Sequence, residues 1–138
     1  GRRILIVDDH VTNRITLGRY LTAWGTISES AARGDEALAL LSSAIDGNRP
    51  FELVLLDYQM PGMDGMAVAR AIKGNPALAG TKILMLSSSS QEPDVIRRAG
   101  IEMWLDKPVR QSDLFDAIAS TLDRGEAGPQ VRREGGAA

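Results

Sequence analysis

Three runs of consecutive apolar residues, Ile4 to Val7, Leu53 to Leu56 and Ile83 to Leu86, constrain this chain more than any other feature. Each has the length of a strand, and none alternates apolar with polar residues as a strand with one wet face would. Strands buried on both faces belong to the middle of a parallel sheet, so this sheet requires helices on both of its sides. Helical patterns fill the intervals. Thr12 to Trp24 carries Ile15, Leu17, Tyr20 and Leu21 and stops at Gly25, and Asp35 to Ile45 carries Ala37, Leu38, Leu40 and Leu41 and stops at Gly47. A third helix starts near Asp64, an N-cap candidate, carries Met66, Val68, Ala69 and Ile72, and ends at Gly74, Asn75 and Pro76. A short fourth covers roughly Pro93 to Ala99, and a fifth covers about Ser112 to Leu122. Two weaker segments, Thr26 to Ser30 and Met103 to Leu105, suit edge strands.

Strand followed by helix, five times over, predicts an α/β fold with parallel strands, right-handed crossovers and an open twisted sheet. A chain of 138 residues holds one such domain with a sizeable core. From about Arg124 the composition turns to Gly, Glu, Arg, Ala and Pro without periodicity. Residues 1–124 are therefore expected to form the domain and 125–138 a flexible tail or linker.

Composition removes several classes of function. A net charge of -2 offers no basic face, so nucleic-acid binding by this chain is not expected. The absence of cysteine removes disulfides, thiolate metal sites and cysteine nucleophiles together. No apolar run is long enough to span a bilayer, and GRRILIVDD lacks the apolar core of a signal peptide. The domain is expected in the cytoplasm without membrane contact of its own, whether or not a parent chain is membrane-anchored. His10 is the single histidine, which excludes a cluster of histidine ligands and a Ser-His hydrolase pair elsewhere in the chain. The chain begins with Gly1, which fits a processed product or an excised piece of a longer protein, and the piece is favoured.

Open α/β sheets bind ligands outside the carboxyl ends of their strands. Asp8, Asp9 and His10 follow the first strand, Asp57 the third, Ser87 to Ser90 the fourth, and Asp106, Lys107 and Pro108 the fifth. Three carboxylates brought together repel, and at least one resists ionisation unless a cation is present. An oxygen donor set favours a hard ion such as Mg²⁺, which keeps several waters and pairs with phosphate oxygens. A lysine neutralises further negative charge, and a serine hydroxyl can donate to a phosphoryl oxygen. Together these make a phosphoryl-transfer site with Asp57 as candidate nucleophile. Each residue also has an ordinary reading: Asp8 and Asp9 as a solvated loop, Lys107 as a surface lysine, Ser88 to Ser90 as flexible loop, and Arg97, Arg98 and Arg110 as a solvated face.

The runs LIVDDH, LVLLDYQMPGMDG, ILMLSS and LDKP, in that order, resemble the four blocks of the receiver domain of two-component response regulators, and the resemblance covers about Arg3 to Leu122. It implies a flavodoxin-like (βα)5 doubly wound parallel sheet with strand order 2-1-3-4-5. It implies Asp57 as phosphoacceptor, Asp9, Asp57 and the backbone carbonyl of Gln59 as direct Mg²⁺ ligands, and Asp8 acting on the ion through water. Ser87 and Lys107 would contact the phosphoryl oxygens, and the Lys107-Pro108 bond is expected to be cis. Trp104 stands where the family usually has Tyr or Phe as a rotameric switch; its ordinary reading is an aromatic covering the sheet edge. The Gln59 side chain and Ser89 occupy positions that tune loss of the phosphoryl group.

The implied partners are a histidine kinase or a histidine phosphotransfer protein, and a homodimer through the surface of the fourth helix, fifth strand and fifth helix. DDHVTNRITLGRYLTAWG and DYQMPGMDG resemble the receivers of hybrid sensor histidine kinases most, so the chain is expected to be a piece of a hybrid kinase or of a response regulator, with a stand-alone single-domain response regulator as the alternative. The implied chemistry is self-phosphorylation from a phosphodonor and autodephosphorylation. Whether the chain is part of a protein-histidine kinase is left open. Two rivals remain at this level. A phosphatase of the haloacid dehalogenase type needs a second acid two residues after its nucleophile, where this chain has Gln59. A degenerate receiver would keep the residues and serve only as a scaffold.

Overall fold

The computed structural model describes residues 3–58, 65–78, 80–87, 101, 103–106 and 109–124. Five strands form one sheet: β1 (Arg3–Val7), β2 (Ile27–Ala31), β3 (Leu53–Asp57), β4 (Lys82–Ser87) and β5 (Met103–Asp106). They lie in the order β2-β1-β3-β4-β5, and every neighbouring pair is parallel. The helices are α1 (Val11–Ala23), α2 (Gly34–Asp46), α3 (Gly65–Gly74) and α4 (Gln111–Arg124). The last is the fifth helical segment of the sequence; the fourth, residues 93–99, lies outside the described residues.

The unalternated runs are explained by two cores sharing one sheet. Successive residues of β1, β3 and β4 point to opposite faces. Ile4, Ile6, Leu53, Leu55, Leu84 and Leu86 pack with Leu17 and Leu21 of α1 and Leu114, Ala117 and Ile118 of α4. Leu5, Val7, Val54, Leu56, Ile83 and Met85 pack with Ala37 and Leu41 of α2 and Met66, Val68, Ala69 and Ile72 of α3. Each of these side chains leaves water almost entirely, and full burial of a Val, Leu, Ile or Met among them contributes roughly 1.5–3 kcal/mol.

The sheet order has one consequence for function. From β1 the chain steps outward to β2 and then returns to the other side of β1 as β3, so the connections above β1 and β3 diverge. A crevice opens at their carboxyl ends.

Several sequence expectations move. Strands β3, β4 and β5 run one residue beyond their apolar segments, so Asp57, Ser87 and Asp106 are the last residues of strands rather than the first of loops. Strand β2 lies one residue later than expected and is mostly exposed, as its edge position requires. Ile15 does not belong to the buried stripe of α1. It is 51% exposed, because α1 reaches the sheet through Leu17 and Leu21. Trp24 follows α1 and stacks on Phe115 of α4 with ring centroids 4.8 Å apart, while Gly25, at φ 86°, turns the chain towards β2. At the start of α2, Arg33 Nε donates to Asp35 Oδ1 at 3.0 Å, and this guanidinium holds the Asp35 carboxyl below the usual carboxylate range. Among the described residues no helix is long and apolar enough to cross a membrane.

Candidate functional site: an acidic pocket at the switch point

The β1–β3 ladder ends with Val7 opposite Leu56. One residue further along each chain stand Asp8 and Asp57, 1% and 2% exposed. Asp9 follows, and His10 forms the N-cap of α1. The ligand-capable atoms of Asp8, Asp9, His10 and Asp57 all lie within 4.8 Å of one another. Two unit charges about 4 Å apart interact by about 4 kcal/mol at an effective dielectric near 20. That exceeds the net contribution of roughly 1 kcal/mol from one hydrogen bond. Three carboxylates at this spacing therefore favour a cation between them.

Asp8 is held by the start of α1. Its Oδ1 accepts the His10 backbone N–H at 2.9 Å, and its Oδ2 accepts Asn13 Nδ2 at 3.2 Å. Arg14 Nη1 donates to the Asp8 carbonyl at 2.7 Å, and the Asp8 N–H donates to the Ala31 carbonyl at 3.1 Å. Asp9 is different. Its Oδ1 is buried and accepts no hydrogen bond, although His10 Nδ1 stands 3.2 Å away. A buried carboxylate oxygen without a donor costs about 1–3 kcal/mol or more, a cost that a bound cation removes. The orphaned oxygen and the carboxylate donors fit a hard divalent ion such as Mg²⁺.

The backbone after Asp57 is fixed from both sides. Tyr58 N–H donates to the Leu86 carbonyl at 2.9 Å, and Gly65 N–H donates to the Tyr58 carbonyl at 2.9 Å. A Cβ on Gly65 would lie 2.5 Å from the Asp57 carbonyl oxygen and 2.8 Å from Tyr58 Cα. The first residue of α3 thus touches the strand end that carries Asp57, and only glycine allows the approach.

Ser87 ends β4, 1% exposed and in register with Asp106. It shares a sheet face with Met85, whose register partner is Trp104. Trp104 is half-buried and packs against the core on the α2–α3 side, two residues along β5 from the register partner of Ser87. Gln59, Lys107, Pro108 and Ser88 to Ser90 lie outside the described residues, as do Asp64, Arg97 and Arg98. Beside Asp8, a cavity of about 400 Å³ opens between α1 and the stretch before α4, lined by Asn13, Thr16, Leu17, Tyr20, Leu86 and Val109.

Asn13, Arg14 and Gly65 are site residues that the sequence reading missed. The signal for the first two was a polar first turn of α1 directly after the acidic pair. For Gly65 it was a glycine at a helix start where no turn required one.

Residues 4–119 match the family model of the response regulator receiver domain. This chain belongs to the response regulator receiver family. The receiver is 33% identical over 123 residues to the gliding motility regulatory protein of Myxococcus xanthus, a match that covers 88% of this chain and 15% of that protein. It spans 48% of a second curated relative. Among solved structures it superimposes on the chemotaxis protein CheY4 of Vibrio cholerae with a TM-score of 0.80, at 29% identity, covering 88% of this chain and 98% of that one. The signal receiver domain of a signal transduction histidine kinase from Syntrophus aciditrophicus gives 0.78 at 30% identity, covering 94% and 96%. The family match and the 2-1-3-4-5 sheet agree, and the receiver is a module of two-component signalling. The phosphatase alternative falls with this assignment.

Proposed function

We propose that this receiver accepts a phosphoryl group on Asp57 from a phosphohistidine partner, a histidine kinase or a histidine phosphotransfer protein, and later loses it by hydrolysis. The observation that carries the proposal is the buried Asp57 carboxylate at a strand end, within 4.8 Å of the ligand atoms of Asp8, Asp9 and His10. In the transfer, a carboxylate oxygen of Asp57 bonds to phosphorus as the phosphorus–nitrogen bond of the donor breaks, and the departing imidazole takes a proton from solvent. Asp9, Asp57 and the Gln59 carbonyl are the proposed direct Mg²⁺ ligands, and Asp8, held by Asn13 and the His10 N–H, acts through water. The bound ion would neutralise charge on the transferring group. The Ser87 hydroxyl and the Lys107 ammonium are assigned to the phosphoryl oxygens.

Phosphorylation adds about 1.5–2 negative charges. Ser87 and Lys107 would move towards them, and Trp104, on the same sheet face as Ser87, would follow. The movement biases an existing equilibrium of the surface around β5 and α4 and thereby changes affinity for a partner. That surface is also where a homodimer would form.

The chain is proposed to be a receiver of a hybrid sensor histidine kinase, with residues 1–124 as the domain and 125–138 as a linker. Support comes from the likeness to a histidine kinase receiver and from the small share of the Myxococcus relative that is covered. A stand-alone regulator is favoured instead by the 98% coverage of CheY4. An immunoblot of native cells separates the two: a band at the mass of the 138-residue chain means a stand-alone protein, and a much larger band means a piece of a longer chain, a hybrid kinase or a multidomain response regulator.

The acceptor assignment is tested by intact mass after incubation with acetyl phosphate and Mg²⁺. Wild type should gain one phosphoryl group and Asp57→Asn none. No gain in wild type, or an equal gain in the variant, overturns the assignment.

A further inference from the structure

We propose that the metal site of this receiver also takes a divalent transition ion of the cobalt, nickel and zinc class, with His10 Nδ1 as its nitrogen ligand. The proposal rests on the acidic pocket serving as a metal site, as above, and adds a donor that changes which ions the pocket prefers.

His10 Nδ1 stands 3.2 Å from Asp9 Oδ1 and 3.4 Å from Asp8 Oδ1. Two ligands on one ion, with bonds near 2.1 Å, are separated by roughly 3.0 Å at an octahedral edge and about 3.4 Å at a tetrahedral one. The 3.2 Å spacing of the ring nitrogen from Asp9 Oδ1 is that of neighbouring ligands on a common ion, and Asp8 stays beside them as the carboxylate that acts through water. It is not explained by a hydrogen bond to Asp9, because Asp9 Oδ1 accepts none.

The position is also anchored. The His10 backbone N–H is tied to Asp8 Oδ1 at 2.9 Å, and the residue caps α1 in an extended conformation. Only the side-chain torsions remain to place the ring. With a side chain 67% exposed, the ring meets an ion arriving from solvent without opening the core.

The chemistry follows from the donor set. Carboxylates alone select Mg²⁺, Ca²⁺ or Mn²⁺, whereas imidazole nitrogen raises affinity along the transition series more than it raises affinity for Mg²⁺. The carboxylates of Asp9 and Asp57 with one imidazole form a mixed set that serves both kinds of ion. A transition ion would then compete with Mg²⁺ at the phosphoacceptor site.

The test uses the full 138-residue chain, its His10→Ala and His10→Gln variants, and the chloride salts of Co²⁺ and Mg²⁺ alone. Dissociation constants are read by calorimetry and the Co²⁺ site by its visible absorption. Both variants should fold, because His10 contributes no buried side chain. Wild type should favour Co²⁺ over Mg²⁺, and either variant should lower that preference about tenfold and shift the Co²⁺ absorption towards that of an all-oxygen site. A change in preference below threefold with an unaltered spectrum overturns the proposal. Failure of wild type to gain a phosphoryl group in Mg²⁺ overturns the acceptor reading instead, so the two failures are told apart.

Discussion

Gly65 and Asp57 meet backbone to backbone: a Cβ on Gly65 would lie 2.5 Å from the Asp57 carbonyl oxygen. Neither partner is the end of a flexible side chain, so Gly65→Ala must shift either the start of α3 or the end of β3. Overpacking of this kind costs about 1–3 kcal/mol. Urea unfolding should show that loss, and intact-mass phosphorylation should slow with it, since the displaced strand end carries the acceptor. Unchanged stability and rate would mean that the approach is not enforced.

Asp57→Asn should unfold at a higher temperature than wild type in metal-free buffer, because it removes one of three clustered carboxylates. Saturating Mg²⁺ should reverse the order. A ligand at about a hundredfold over its dissociation constant stabilises the native state by roughly 2.7 kcal/mol, and the variant loses a ligand. Calorimetry with EDTA and with Mg²⁺ reads both arms.

Asn13→Ala removes the 3.2 Å hydrogen bond that Asn13 Nδ2 donates to Asp8 Oδ2. Loss of a group that orients a metal ligand lowers affinity by about 10–100-fold. The lower end is expected here, since the His10 N–H still holds Oδ1. A Mg²⁺ titration by calorimetry with an unchanged dissociation constant would remove Asn13 from the site.

The Trp24–Phe115 stack joins α1 to α4 at 4.8 Å between centroids and 14° between planes. Phe115→Leu keeps much of the apolar volume and loses the ring contact, worth about 0.5–1.5 kcal/mol beyond area burial. Urea unfolding should show a loss in that range, with the fluorescence of Trp24 shifted to the red.

The Arg33–Asp35 pair supplies an acid-side prediction. The hydrogen bond from Arg33 holds the folded Asp35 carboxyl below the usual carboxylate range. Its contribution is therefore complete above the ordinary carboxylate range and lost as pH falls through the lower folded value. Both side chains are well exposed, so the effect is small. Asp35→Asn should lower the melting temperature slightly at pH 7, and the difference should shrink as pH falls below the ordinary carboxylate range.

How much could be read in the residues differs from element to element. The runs at Leu53 to Leu56 and Ile83 to Leu86 announced central parallel strands, because burial on both faces removes alternation. The spacing of Met66, Val68, Ala69 and Ile72 announced a buried helix face, and all four are buried. Ile15 was grouped with Leu17, Tyr20 and Leu21 and is exposed, since a residue two positions before Leu17 lies on the other side of the helix from the stripe that Leu17 and Leu21 form. Asp8, Asp9 and Asp57 were readable as a group through the rule that strand ends carry sites. Asn13 was not, because an amide in a helix is polar surface until the fold brings a carboxylate within reach.

The order of apolar runs and helical stripes by itself determined an α/β domain with a doubly covered sheet, and its strand-end acids marked the site. Tertiary structure alone decided that Asp9 Oδ1 is buried without a donor, that His10 Nδ1 faces two carboxylates, and that Gly65 lies against Asp57. Periodicity reports how each segment partitions between water and core, a one-dimensional property. Contacts between residues far apart in the chain depend on how the segments pack, and packing is settled by the shapes of both partners together.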